Sequence, residues 1–159
     1  SCSSATRAQV ARHATIYPTR QIIAADVIEG RVTPADIADW LIEADGIPLA
    51  YSSADPRAIK QVQEEYGLEK PSDALESFFA KTAKLAVERG VTRVITAGGE
   101  TSGAVVEGLG LNTLEIGPEI DPGVPALRAS SDLVLALKSG NFGAEEFFEK
   151  ADKVLRGEA

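Results

Sequence analysis

The chain has 159 residues, 44% of them hydrophobic and 25% charged, with a net charge of -8 and a pI near 4.7. That length and balance fit one folded domain with a buried core, and no apolar run approaches the ~20 residues that cross a bilayer or reads as a signal peptide. Basic residues scattered under an acidic excess argue against a nucleic-acid partner, which needs a basic face. The one cysteine, Cys2, excludes an internal disulfide and fits a reducing cytoplasm. There is no methionine, and Ser1 to Thr6 reads as a loop leading into a helix. Together these create the expectation of a domain that begins inside a longer polypeptide.

In chain order, Thr6 and Gln9 have capping-box spacing ahead of Val10, Ala11 and Ala14. Gln21 to Ala25 is of strand length. Thr33 before Pro34 opens a helix with Ile37, Trp40, Leu41 and Ala44 on one face. Ile47 to Tyr51 is a second strand candidate, and Asp55-Pro56 starts a helix with Ile59, Val62 and Tyr66 facing inward. The strongest helical pattern runs from about Asp73 to Arg89, with Asp73 and Glu76 placed to cap it reciprocally. Val91 to Ala97, Asn112 to Ile116 and Leu133 to Leu137 are strand-like, and a last helix carries Phe147, Phe148, Ala151, Val154 and Leu155. The run Leu133-Val134-Leu135-Ala136-Leu137 lacks polar alternation, as a strand covered on both faces would. The alternation predicts an α/β fold: a three-layer sandwich with a mostly parallel sheet of about five or more strands and helices on both faces. No linker divides the chain, so residues 1–159 form one domain.

In an open parallel sheet, ligands collect where strands end and helices begin. Three segments have the composition of such junctions. Val94 to Ala97 runs into Gly98-Gly99-Glu100-Thr101-Ser102-Gly103, where glycines allow close backbone approach, Thr101 or Ser102 can cap the next helix, and free amides can receive a phosphate. Neither a Walker A loop nor a GxGxxG motif is present. A carboxylate touching a polyphosphate is repelled, so Glu100 is expected to meet ribose hydroxyls or to reach phosphate through a cation. Leu137-Lys138-Ser139-Gly140-Asn141-Phe142-Gly143 follows the most apolar strand, with Lys138 expected to emerge into solvent as a point charge for phosphate, and Phe142 either stacking on a base or anchoring the loop. Ser1 to Thr6 offers hydroxyls and helix-start amides. Each segment is also compatible with a plain turn or cap.

His13 lacks any cluster that would make it a metal ligand or catalytic base, and Cys2 with His13 lacks a third partner. Asp121-Pro122-Gly123 reads as a turn, which outweighs a magnesium site at Glu119 and Asp121.

Four segments resemble the C-terminal domain of the four-carbon acid sugar kinases. Ser1-Cys2-Ser3-Ser4-Ala5-Thr6-Arg7-Ala8-Gln9 is similar to the family's G-S-C-S-x-A-T-x-x-Q opening, and Gly98 to Val105 to its G-G-E-T-S-G-x-V loop. Ile116 to Pro125 and Leu135 to Gly143 are similar to its two remaining signatures, in the same order. The resemblance implies the nucleotide half of a two-domain enzyme that phosphorylates erythronate, threonate or 3-oxo-tetronate with ATP and Mg2+. It also implies nucleotide contacts at Ser1 or Ser3, at Gly98, Gly99, Glu100 and Thr101, and at Gly140. Lys138 would offset phosphate charge during transfer. The family's glycine before Ser1 and the strand ahead of it are absent, as is the N-terminal sugar-acid domain, so the chain alone is expected to be inactive. A nucleotide-sensing module without phosphotransfer, or an interaction domain whose site has been lost, are the other functional classes. A homodimer stays open.

Overall fold

The computed structural model describes residues 3–52 and 56–157. Its elements are α1 (Ser4–Ala14), β1 (Thr19–Gln21), α2 (Ala24–Ile28), α3 (Pro34–Glu43), β2 (Leu49–Tyr51), α4 (Pro56–Tyr66), α5 (Lys70–Glu88), β3 (Arg93–Ala97), α6 (Gly99–Gly108), β4 (Glu115–Asp121), β5 (Val124–Ser130), β6 (Leu133–Lys138) and α7 (Phe147–Leu155). The α/β class is as expected. β1 and β2 form a parallel pair, and the remaining strands form a second sheet in the order β3-β6-β5-β4.

The sheet differs from the expected one in arrangement. Among the described residues six strands lie in two sheets, and β5 runs antiparallel to both its neighbours, while β3, β6 and β4 share one direction. The cause is local. Asp121-Pro122-Gly123 is far too short for a crossover, so β4 and β5 can only form a hairpin. Gly123 takes φ +82 in that turn, a region costly for other residues. Of the strand expected at Asn112 to Ile116 only Glu115 and Ile116 lie in β4; the rest of β4 and all of β5 were not expected, because most of β4 faces water, with Ile116 76% exposed. Pro118 lies in this outer strand, where a missing N–H costs little.

Helix starts follow local chemistry only in part. Thr33 caps α3 in a full capping box with Asp36, and Pro34 occupies the first turn, as expected. For α1 the cap is Ser3, whose Oγ accepts from the Thr6 amide at 3.2 Å, so Thr6 and Gln9 are freed for other bonds. α5 begins at Lys70, which places Asp73 inside its first turn and not at its cap. Asp55, expected to open α4, lies outside the described residues.

Two apolar clusters mark the two faces of the strand layer. Val10, Phe147, Phe148, Ala151 and Leu155 gather on one, against Leu49, Tyr51, Ile95 and Ala97. Ile22, Ile37 and Phe78 gather on the other, with Ala50 and Phe79. The alternation of a strand accounts for the division, since Leu49 and Tyr51 face one way and Ala50 the other. α1 and α7 thus cover one face, and α2, α3 and α5 the opposite one. β6 is buried along both faces, as its unbroken apolar run predicts.

Asp121, 6% exposed, ties the β4–β5 hairpin to the segment after β6: it accepts from the Ala144 amide at 3.0 Å and from Lys150 Nζ at 2.7 Å. Glu119 accepts from the Gly123 amide at 3.0 Å, so both carboxylates serve the turn. Asp121→Ala removes the charged acceptor shared by the Ala144 amide and Lys150 and is expected to cost about 2 kcal/mol. For a domain of this size that lowers Tm by roughly 4–8 °C in a thermal melt, whereas Asp121→Asn, which keeps an acceptor, loses less.

Candidate functional site

β3 and β6 are parallel neighbours with Ala97 opposite Lys138, so the turns that follow them leave from the same edge. The Gly98 amide donates to the Lys138 carbonyl at 2.8 Å and joins the two turns directly. Gly98 has φ +106 and caps α6 without any side-chain bond, so the cap expected from Thr101 or Ser102 is not used. Both residues lie inside the helix, and the Ser102 Oγ meets Thr96 Oγ1 at 2.7 Å in the core. The first amide with an intrahelical partner is that of Ser102, bonded to the Gly98 carbonyl at 2.9 Å. The amides of Gly99, Glu100 and Thr101 have no carbonyl one turn earlier and are aimed out of the edge.

The start of α1 joins the same edge through the loop after β6. Ser3 Oγ lies 2.5 Å and Thr6 Oγ1 2.9 Å from the Gly140 carbonyl. Gln9 Nε2 reaches the carbonyls of Phe142, Gly143 and Ala144, each at 3.0 Å. Gln9 was not singled out from sequence as a site-building residue. The available signal was its place beside Thr6, Val10 and His13, a polar group on the buried stripe of a helix. Ser1 and Cys2 lie outside the described residues.

Lys138 departs from expectation. A lysine at a strand end should emerge into solvent, yet its side chain is 0% exposed. Nζ donates to Thr6 Oγ1 at 3.0 Å and to the carbonyls of Ser139 and Gly140, both at 2.9 Å. All three of its donors are therefore spent inside the protein. None of the ion pairs among the described residues includes it. Burial without a carboxylate partner pushes its pKa down to about 8.

A cavity of about 480 Å³ opens beside Gly98–Thr101, walled by Ile22, Ile59, Val62 and Leu75 and carrying Glu76. Burial, then the charges of Glu100 and Asp73, raises the Glu76 carboxyl above the ordinary range. Glu100 itself is exposed at the start of α6. Among the described residues no group of three or more His, Cys, Asp or Glu could hold a metal, so magnesium has no all-protein cage here. Phe142, 46% exposed, lies over Gly123, where a Cβ would come within 2.6 Å of its ring. That contact favours the anchoring role. His13 is a core residue: Nε2 donates to the Ile47 carbonyl at 2.6 Å, and Phe148 meets its ring edge-on. Desolvation lowers its pKa.

Residues 1–148 match the model of the nucleotide-binding C-terminal domain. The chain belongs to that family. It is 43% identical to a 3-oxo-tetronate kinase of Brucella melitensis biotype 1, covering 99% of this chain and 37% of that protein. A second, from Actinobacillus succinogenes, is also 43% identical, over 95% of this chain and 37% of the relative. A solved Haemophilus influenzae structure superposes with a TM-score of 0.90 at 40% identity, covering 98% of this chain and 39% of that one. The chain thus spans less than two-fifths of the curated relatives it matches, and corresponds to their nucleotide-binding portion. No helix among the described residues is long and apolar enough to cross a membrane.

The buried lysine makes a measurable signature. Between pH 8 and the ordinary lysine value of 10.5, the unfolded chain holds a proton that the native state has shed, so stability rises with pH in that window and is flat below it. Comparing Lys138→Met with the parent by denaturant unfolding, the parent should gain about 2 kcal/mol relative to the variant from pH 7.5 to 10. Parallel curves would place the titration of Lys138 at its ordinary position.

Proposed function

We propose that this domain binds the ATP of a cytoplasmic kinase that transfers the γ-phosphoryl group to the terminal hydroxyl of a four-carbon sugar acid. The acid and the group that orients its hydroxyl would belong to a domain outside this chain. One observation carries the proposal: a wholly buried lysine, without an ion-pair partner among the described residues, lies beneath the meeting point of two helix starts and a glycine loop. A buried cation ordinarily has an anion to answer it. An acidic protein with net charge -8 gains nothing from its overall field in holding one, so the local amides and this charge must suffice.

The phosphates would lie over the amides of Gly99, Glu100 and Thr101, with Ser1 or Ser3 and Gly140 on the far side. The nucleoside would lie toward the apolar cavity, where Glu100 can meet ribose hydroxyls. Lys138 then acts as a positioning residue, because its donors are already engaged: it fixes Thr6 and the Gly140 loop and adds positive potential from below. Magnesium would arrive with the nucleotide as part of the substrate, in keeping with its habit of leaning on phosphates and few protein ligands.

Gly99 gives the direct test, because a Cβ there would meet nothing within 4 Å in the ligand-free fold. Gly99→Ala should therefore keep or slightly raise Tm, since alanine favours a helix by about 0.5–1 kcal/mol over glycine. In the full-length enzyme the methyl group would stand where phosphate approaches, and KM for ATP should rise at least tenfold, about 1.4 kcal/mol. Unchanged affinity would remove this turn from the site. Nucleotide binding without transfer to any four-carbon acid would instead indicate a sensing module.

A further inference from the structure

Two acids meet at the cavity beside the Gly98 turn. Glu100 belongs to the first turn of α6, and Glu76 to α5, the helix that packs along α6. Both line the cavity, and their side chains lie within hydrogen-bonding reach of one another. Neither takes part in any of the ion pairs among the described residues. Asp73, one turn earlier on α5, adds a further negative charge nearby.

This pairing does nothing for the stability of the fold. Adjacent carboxylates repel, and a proton on Glu76, whose carboxyl is raised above the ordinary range, is what relieves them. The cavity wall beyond the two acids is mainly apolar, with Ile22, Ile59, Val62 and Leu75. One end of the cavity thus presents a pair of acceptors directly beside the amides of Gly99, Glu100 and Thr101, and the remainder offers an aliphatic surface.

We propose that Glu76 and Glu100 together read the vicinal diol of the ribose, each accepting from one hydroxyl, and so select a ribonucleotide over its deoxy counterparts. This role rests on the edge holding a nucleotide, and goes further by naming the part of the ligand that is read. A diol suits the pair because it brings two O–H donors aimed at two different acceptors. Hydrogen bonds to a charged acceptor are the stronger kind.

The covalent order of a nucleotide decides which acid meets which hydroxyl. Moving away from the 5′-phosphate, the 3′-carbon comes before the 2′-carbon, which adjoins the carbon bearing the base. Glu100 shares its turn with the phosphate-facing amides and therefore takes the 3′-hydroxyl. Glu76, set back on α5 beside Leu75, takes the 2′-hydroxyl, and the base continues toward the aliphatic wall. The cavity, about 480 Å³, is within the range of small-ligand sites. A magnesium ion between the same two carboxylates fits less well, because it demands near-octahedral oxygen ligands that an aliphatic wall does not supply.

Titration calorimetry of the full-length protein with the magnesium complexes of ATP, 2′-deoxy-ATP and 3′-deoxy-ATP tests the assignment. Each deoxy nucleotide should bind the parent about tenfold more weakly than ATP, the effect of one hydrogen bond to a charged acceptor. Glu76→Ala should weaken ATP by about the same factor, leave 2′-deoxy-ATP unchanged, and keep the preference for ATP over 3′-deoxy-ATP. Glu76→Gln, which retains a neutral acceptor, should fall between. Removing a carboxylate from this group relieves repulsion, so both variants should melt at or above the parent's Tm. Equal weakening of ATP and 2′-deoxy-ATP by Glu76→Ala would overturn the assignment, as would a parent that binds the two alike. A greater magnesium requirement with no change in sugar preference would give the pair to a cation and overturn it too. If none of the three nucleotides binds the parent, the nucleotide site itself is wrong, a failure distinct from loss of sugar selectivity.

Discussion

The site depends on one side chain that never reaches it. Lys138 closes β6, accepts the Gly98 amide on its own carbonyl, and sends its ammonium under the loop to hold Thr6 and Gly140. Those bonds join three segments far apart in sequence: the start of α1, the turn before α6 and the loop after β6. Burying an ammonium is costly, and three hydrogen bonds with no opposing carboxylate offset that only in part.

Around this point the packing is arranged to keep the turns still. Gln9 holds three consecutive carbonyls of the loop after Gly140, and Asp121 holds the Ala144 amide just beyond them. The antiparallel hairpin β4–β5 has no part in the edge itself, yet it supplies that carboxylate. The rim is built from amides and one buried cation, with the exposed carboxylate of Glu100 at its edge, while more distant exposed carboxylates are screened beyond about 8–10 Å.

Much of the architecture was legible from residues alone. The capping box at Thr33, the doubly buried run at Leu133 to Leu137 and the glycine turn at Gly98 each follow from local chemistry that neighbours do not overrule. The α/β class and the three candidate junctions follow from the order of such signals. Neither β5 nor its reverse direction was legible, because β4 is mostly exposed and leaves no apolar period to mark the hairpin. Nor was the burial of Lys138, since a lysine at a strand end looks the same in sequence whether it meets water or a neighbouring loop. Local chemistry determines which backbone groups are left free at a turn. Only the folded chain decides which of those turns meet, because that depends on strand order and packing across more than 130 residues, as in the bond from Thr6 to Gly140.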